Sequence, residues 1–185
     1  MANKEHLLLL FQSIASGDCR PWNNWRIDNP EASPSLIGLE LWQLDLSRIN
    51  LSRSDLRLAD LREVNLYRAN LANSDLSLSV LRNANLREAN LKGAKLYHAD
   101  LGGADLRHAN LAGADLRFAN MTGALLGDAE FSNAIMDEKV LRQAERGSWE
   151  GVSPIERLAL RLSPHGIQKP LRRILPHHFR DGMHS

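Results

Sequence analysis

Large apolar residues recur at every fifth position over more than half of this chain. Of the twenty such positions between residues 41 and 136, seventeen hold Leu and the others hold Met or Phe. The residue two places earlier is in most units smaller, and between 84 and 134 it is always Ala. The residue directly before each large apolar residue is Asp or Asn at fourteen of the sixteen positions from 45 to 120. The chain therefore repeats the unit Ala-(Asn/Asp)-Leu-X-X, which is clearest at 84–93.

A period of five fits neither an α-helix nor a flat strand. At about 100° per residue, five helical residues would rotate each Leu by roughly 140° from the last, so the leucines would surround the helix. In a strand, side chains alternate between faces, so successive leucines would point in opposite directions. The chain must therefore turn once in every unit, at the Asn, Asp and Gly residues that favour turns. Such a chain coils around a narrow core of Leu and Ala, and adjacent coils pair their backbones about 4.8 Å apart.

Units such as Ala84-Asn85-Leu86-Arg87-Glu88 resemble the pentapeptide-repeat family. The resemblance extends over residues 36–136 and implies a β-solenoid, namely a right-handed quadrilateral β-helix with four units in each coil. Twenty units then make about five coils, roughly 24 Å long. A solenoid with bare ends exposes apolar surface and unpaired backbone, so we expect α-helical caps at both the N- and the C-terminal end.

Residues 1–35 depart from the repeat and predict the N-terminal cap. A helix is expected from Asn3 to about Gly17, because the apolar residues between them follow helical spacing. Trp22 and Trp25 come next, in a segment similar to the leader of many cyanobacterial pentapeptide-repeat proteins. Together these features predict a helix and a Trp-rich turn that lie across the first coil. The alternative function for the two tryptophans is a platform for a carbohydrate or a nucleic-acid base.

Residues 137–185 also depart from the repeat and predict a helical, mildly basic C-terminal cap or tail. A short helix is expected from Asp137 to Gly147, and residues 153–156 form a capping box that opens a second helix. The region holds nine Lys or Arg against six Asp or Glu, a net charge of +3. Its candidate basic tail consists of Arg157, Arg161, Lys169, Arg172 and Arg173.

Composition narrows the function classes. The chain has 185 residues, 43% of them apolar and 24% charged, which indicates one globular domain with small appendages. A net charge of +1 provides no strong field toward polyanions. Cys19 is the single cysteine, so an intramolecular disulfide is excluded and a reducing, cytoplasmic location is expected. The longest apolar run, 7–11, is too short to span a membrane.

No catalytic motif is present in the sequence. It contains no Gly-rich phosphate loop, no nucleophile elbow and no His-Glu-x-x-His. His98 and His108 fall on different sides of a four-unit coil, and Cys19 has no evident His partner. We therefore expect no enzyme, no cofactor and no metal site.

Steps of twenty residues define columns that run along the axis of a four-unit coil. One column holds Asn50, Asn70, Asn90 and Asn110, whose amides we expect to form a structural hydrogen-bonded Asn ladder.

A second column holds Leu58, Leu78, His98 and Phe118, each two places after a central apolar residue and therefore predicted to point outward. We call these four residues the apolar ridge. Aligned exposed apolar side chains are typical of a contact surface. Either a terminal helix such as 154–162 folds back over the ridge, or the ridge binds a partner protein or a second copy of the chain.

Three functions remain. We expect a non-enzymatic scaffold for protein–protein interaction, with an unidentified partner protein or self-association. Some pentapeptide-repeat proteins instead protect type II topoisomerases from quinolones by mimicking DNA, and the resemblance permits this here. The charge disfavours it, because residues 36–136 carry eleven basic and twelve acidic residues. A DNA-like rod of about 24 Å needs more than ten net negative charges, at one per roughly 1.7 Å.

The third function is docking of the basic tail on an anionic membrane or nucleic acid.

Overall fold

The computed structural model describes residues 4–146 of the chain. Helix α1 (Lys4–Ser16) and helix α2 (Arg20–Asp28) precede the repeats, and helix α3 (Glu138–Arg146) follows them. Between α2 and α3 the backbone pairs through single-residue parallel bridges, the first between Ser35 and Asp55 and the last between Asp115 and Ile135. Every bridge joins residues twenty positions apart, so four five-residue units complete one coil.

Each unit turns because the second residue after the central one has a left-handed backbone. All twenty of these corner positions, from Gly38 to Asn133, have φ between 56° and 73°. The next N–H then donates to the central carbonyl, as Ala84 N does to Leu81 O at 3.1 Å. A positive φ at the third residue is the mark of a type II turn. Fifteen of the twenty corner residues are not Gly, although this conformation costs an L-residue roughly 1–2 kcal/mol.

The Asp or Asn before each central residue stabilises the turn that follows. Asn85 Oδ1 accepts a hydrogen bond from Arg87 N at 3.2 Å, and Asp105 Oδ1 accepts one from Arg107 N at 3.1 Å. This bond to the backbone two residues ahead is the Asx-type interaction that Asp and Asn make in turns. It explains why the position is so restricted in composition.

The central residues and the small residues two places before them fill the core. Every central Leu from Leu46 to Leu116 is completely buried. Backbone hydrogen bonds join each coil to both neighbours: Leu86 N donates to Asp105 O at 2.8 Å in the next coil, and Asn85 N donates to Val64 O at 2.9 Å in the previous one. Each coil is therefore held by nearest-neighbour contacts, as in other solenoids.

The predicted Trp-rich turn is wrong, because Trp22 and Trp25 lie on helix α2. Pro21 stands in the first turn of this helix, where its missing N–H breaks no intrahelical bond. Helical geometry places Trp22 and Arg26, four residues apart, on the same side, and both are buried.

Helix α2 satisfies backbone groups of the first coil that have no coil below them. Trp22 Nε1 donates to Asn50 O at 2.7 Å, and Asn50 N donates to Asn23 Oδ1 at 2.8 Å. Arg26 donates to Ser52 O at 2.7 Å. One coil further on, Leu51 N and Arg53 N make the corresponding bonds to Asn70 O and Ala72 O. The side chains of α2 therefore replace the donors and acceptor that a preceding coil would supply.

Helix α3 makes similar contacts with the other end of the repeats. Asp137 Oδ1 accepts from Lys139 N and Val140 N at 2.9 and 3.0 Å, which is the geometry of a helix N-cap. Its Oδ2 accepts from Phe118 N at 2.6 Å. Asp137 thus links the start of the helix to a corner of the coil beneath it. The predicted second helix, from residue 153 onward, lies outside the described residues.

Candidate protein-binding surface

The apolar ridge follows one corner of the solenoid and faces outward. Leu58 is 60% exposed, Leu78 and Phe118 are each 51% exposed, and His98 is also exposed. All four have the left-handed corner backbone, with φ between 56° and 62°. Because the coils are aligned, the four side chains stand one above the other at intervals of about 4.8 Å.

Aromatic contacts order the upper half of the ridge. The rings of His98 and Phe118 are stacked, with their centroids 4.9 Å apart and an angle of 16° between their planes. Tyr97 meets both rings edge-on, at 4.5 Å from His98 and 5.4 Å from Phe118. Such offset and edge-to-face pairs each contribute about 0.5–1.5 kcal/mol beyond buried area. The three rings therefore form one pre-organised aromatic cluster on the surface.

Two further apolar side chains on this face were missed in the sequence. Tyr97 is 38% exposed and Ile37 is 44% exposed, and both occupy the place directly after a central Leu. The sequence signal was available, because that place precedes the corner on the same face of the coil. With them, each described coil places an apolar or aromatic side chain on this side of the solenoid.

Ion pairs flank the ridge and neutralise most of its surrounding charge. Arg57 lies 2.7 Å from Asp55, and Arg117 lies 2.6 Å from Asp115. In each pair the hydrogen bond from the Arg side chain holds the pKa of the Asp carboxyl below its usual value, and the Arg backbone N–H adds to this effect. The carboxylates therefore stay charged and paired around an apolar strip, as in the polar rim of a protein interface.

The Asn column forms side-chain hydrogen bonds along the axis. Asn70 Nδ2 donates to Asn50 Oδ1, and Asn90 Nδ2 donates to Asn70 Oδ1, both at 3.2 Å. Asn110 does not continue this row, contrary to the prediction; its Oδ1 accepts a hydrogen bond from Ala112 N at 2.9 Å instead. A second row was not predicted from the sequence, although its period of twenty was legible there. It is made by Asp45, Asn65 and Asn85, with hydrogen bonds of 2.9 Å between neighbours.

Trp22 does not form a ligand platform. It is completely buried, and its indole N–H is bonded to Asn50 O. Trp25 is half-buried between Trp22 and His6, with ring centroids at 5.2 and 4.2 Å. A shallow depression of about 320 Å³ beside Trp25 is lined by two apolar and two polar side chains of α1, namely Leu8, Leu9, His6 and Gln12. The two tryptophans therefore serve the contact between the helices and the first coil.

The candidate basic tail lies outside the described residues, so its five Arg and Lys residues remain a prediction from sequence.

Within residues 4–146, no helix combines the length and apolar character needed to cross a lipid bilayer. In the same region, no three His, Cys, Asp or Glu side chains come together as a metal site would require. His98 and His108 lie at different corners, and His108 is paired at 3.6 Å with Asp128.

Comparisons with known proteins agree on the type of repeat. A family model described as pentapeptide repeats matches in eight copies, in overlapping stretches that run from residue 35 to 137. A search of curated proteins found no significant match.

Similar solved structures come from several sources. One is the pentapeptide-repeat protein Rfr23 of the cyanobacterium Cyanothece 51142, which is 27% identical over 69% of this chain and 97% of its own, with a TM-score of 0.43. Another is alr5209, a pentapeptide-repeat protein from Nostoc PCC 7120, which is 40% identical over 52% of this chain and 71% of its own, with a TM-score of 0.40. QnrB1, a plasmid-mediated fluoroquinolone resistance protein, is 19% identical over 56% of this chain and 69% of its own, with a TM-score of 0.35.

The family match covers more than half of the chain, and every one of its residues lies in the five-residue units or at their borders. The bridges between residues twenty positions apart give the four-sided coil that these units require. The resemblance seen in the sequence is thereby confirmed, and the chain belongs to the pentapeptide-repeat family.

Proposed function

We propose that the protein is a rigid, non-enzymatic scaffold that binds a partner protein through the apolar ridge. The scaffold is a solenoid of about five coils closed by helices, which keeps the ridge straight. The observation that carries the proposal is the alignment of Leu58, Leu78 and Phe118, all at least half exposed, in left-handed corner positions of one column. The apolar ridge is therefore a candidate contact surface rather than a part of the core.

Two energetic costs support this assignment. Left-handed backbone costs a residue other than Gly roughly 1–2 kcal/mol, so Leu and Phe are unfavourable at a corner. Exposed apolar side chains also give up the stabilisation that burial would supply. The backbone cost is met at most corners, since fifteen of the twenty are not Gly, but every non-Gly corner outside the ridge holds a polar or charged residue and so avoids the second cost. In the ridge column, three coils carry both costs, and binding of a partner protein would explain why.

The spacing of the ridge supports an amphipathic helix as the partner element. Successive ridge side chains are about 4.8 Å apart. In an α-helix, apolar residues at i, i+3, i+7 and i+10 are on average about 5 Å apart along the axis, at 1.5 Å per residue. Three steps along the ridge therefore match ten helical residues to within about 1 Å. The flanking ion pairs supply the polar rim that surrounds the apolar centre of a protein interface.

Two matched charge substitutions test the proposal. Leu78→Glu places a charge on the ridge, whereas Asn83→Glu places one at the next corner of the same coil, which is also exposed and left-handed. Both variants would be used for affinity capture from the native host. In parallel, a photoreactive benzoylphenylalanine at position 77, beside the ridge, would cross-link the bound partner. We expect one or more proteins to be lost with Leu78→Glu and retained with Asn83→Glu, with the cross-link mapping to a partner helix.

Equal capture by the two variants would contradict the proposal, as would cross-links that map to extended or disordered partner segments. A second copy of the chain found at the cross-link would identify self-association, which sedimentation velocity would detect independently. That result would show that the ridge joins two copies of this chain and would overturn the proposal of a helical partner protein.

The DNA-mimic alternative finds less support. A duplex presents uninterrupted negative charge, whereas the carboxylates of Asp60 and Asp105 are paired with Arg62 and Arg107 at 2.5 and 2.6 Å. Arg side chains directly beside the carboxylates break the acidic rows that mimicry requires. A gyrase supercoiling assay with a quinolone present would test this alternative, and protection by the protein would favour it over the scaffold.

A further inference from the structure

We propose that the protein forms a reversible two-fold dimer in which the outer face of helix α1 packs against the same face of a second copy. Helix α1 lies at the N-terminal end of the solenoid, where Leu10 joins the core of the first coil. The dimer is independent of the proposed function, because the apolar ridge begins at Leu58 in the second coil and takes no part in the contact.

Helix α1 is apolar on every side. Residues 7–11 are four Leu followed by Phe, and at about 100° per residue they cover the whole circumference of the helix. Leu10 is completely buried, and Ser13 Oγ accepts a hydrogen bond from Trp22 N at 3.2 Å, so this side faces inward. Leu8 and Phe11 lie outside that contact and are 59% and 44% exposed. Because a helix that is apolar all round is typical of a buried position, the outer face of α1 needs a cover that residues 4–146 of one copy do not supply.

The outer face combines a projecting side chain with a depression that can receive one. The depression, of about 320 Å³, is lined by Leu8, Leu9, Gln12 and His6 of α1 and by Trp25 of α2. Phe11 follows Leu8 by three residues and lies about 60° around the helix and 4.5 Å along it. A two-fold axis beside Leu8 therefore places Phe11 of each copy over the depression of the other. Such an isologous contact closes on itself and stops at a dimer.

The face carries no charge that would oppose pairing with its own copy. Residues 6–17 contain no Asp, Glu, Lys or Arg. The two charged residues that follow, Asp18 and Arg20, form an ion pair at 2.8 Å. A two-fold contact brings each surface against itself, so a net charge on it would meet a like charge, which is costly in an interface. An uncharged apolar face avoids this cost and therefore favours a second copy as its occupant.

The size of the face is that of a reversible contact. The 13 residues of α1 extend about 19.5 Å. Two helices side by side are about 20 Å wide, so α1 and α2 present a footprint of about 400 Å² on each copy. Two copies together then cover about 800 Å², which lies in the range of weak and transient complexes below about 1,200 Å². We therefore expect a dissociation constant on the order of 10–100 μM rather than a permanent dimer.

Sedimentation velocity of the full chain tests the dimer. The wild type would be compared with Leu8→Glu and with Leu78→Glu, since both leucines are about half exposed and both variants gain the same charge. From about 2 to 500 μM, we expect the wild type and Leu78→Glu to pass from monomer to dimer with the same dissociation constant. Leu8→Glu should raise that constant at least about tenfold, because the dimer would bury an unpaired carboxylate. Circular dichroism checks that both variants keep the fold.

Hydrogen exchange of the wild type at the two ends of this concentration range provides a test without substitutions. We expect slower exchange in residues 6–16 at the high concentration and unchanged exchange in the coils that carry the ridge. A monomer at every concentration would overturn the inference. So would dimerisation that Leu78→Glu abolishes and Leu8→Glu leaves intact, because the ridge would then join the copies. Partner capture by the ridge is measured separately, so its failure would refute the proposed function and leave the dimer standing.

Discussion

Replacing a ridge leucine should affect stability far less than replacing a core leucine two residues away. Leu78 is 51% exposed and left-handed, whereas Leu76 is completely buried. Leu78→Gly relieves roughly 1–2 kcal/mol of backbone strain. It gives up about half of the 1.5–3 kcal/mol that burying a whole Leu contributes, and Gly adds about 0.4–1 kcal/mol of unfolded-state entropy. These contributions nearly cancel, so the free energy of unfolding should change by less than about 1 kcal/mol.

Leu76→Ala has no such compensation. It removes a side chain from the centre of a coil whose neighbours above and below are also buried leucines, Leu56 and Leu96. Comparable substitutions in well-packed cores cost about 3–5 kcal/mol, because the cavity collapses only in part. The two leucines, although adjacent in the repeat pattern, should therefore differ several-fold in their contribution to stability.

The measurement is urea denaturation of the two variants and the wild type, followed by far-UV circular dichroism. The slope with denaturant should be the same for all three, because Leu78→Gly leaves the buried surface nearly unchanged. Asn83→Gly serves as the control for backbone effects at an exposed corner of the same coil. A loss of more than about 2 kcal/mol in Leu78→Gly would refute the reasoning, since the ridge would then be holding the fold together.

Three further predictions concern the ends, the ladder and the charges. Trp22→Phe should cost about 1 kcal/mol, because the carbonyl of Asn50 loses its donor, and hydrogen exchange should accelerate in the first coil. Asn70→Ala removes two inter-coil bonds and one turn bond, so the free energy of unfolding should fall by about 2–3 kcal/mol in the same denaturation assay. The hydrogen bond from Arg117 lowers the pKa of Asp115 from 3.8, so the stability from this pair is present above about pH 4 and is lost as pH falls through the lower, folded-state pKa. A carboxyl NMR titration of Arg117→Gln should therefore move the Asp115 midpoint upward, and an unchanged midpoint would contradict the assignment.

The period of five predicts that the chain coils, because neither a helix nor a flat strand fits it, and the family resemblance supplies the four units in each coil. Residues twenty positions apart are bridged as the four-unit coil requires, and the central Leu residues from Leu46 to Leu116 are buried. The right-handed sense of the β-helix follows from family membership rather than from the period. Strict repetition makes long-range contacts predictable, because each contact is the translation of another.

The features that could not be predicted lie where the repetition ends. The Asn-rich sequence of helix α2 favours a turn, and the role of the helix becomes visible only in the contacts of Trp22 and Arg26 with the first coil. Tyr97 joins the ridge through ring contacts with His98 and Phe118 that depend on side-chain rotamers. Neither tertiary packing at a solenoid end nor a rotamer is encoded in a five-residue period.

The five places of each unit have different structural roles, and these roles indicate where on this fold a binding surface should be sought. Three of the five places are committed to structure: the small residue and the central Leu fill the core, and the Asp or Asn holds the turn. The two remaining places point outward, and the corner among them favours Gly or Asn on conformational grounds alone. A bulky, apolar corner residue such as Phe118 is therefore unfavourable in the left-handed turn conformation, and because its side chain is exposed it gains no stabilisation from burial in the core. Its alignment with Leu58 and Leu78 is required neither by the turn nor by the core, and the proposed binding of a partner protein accounts for it.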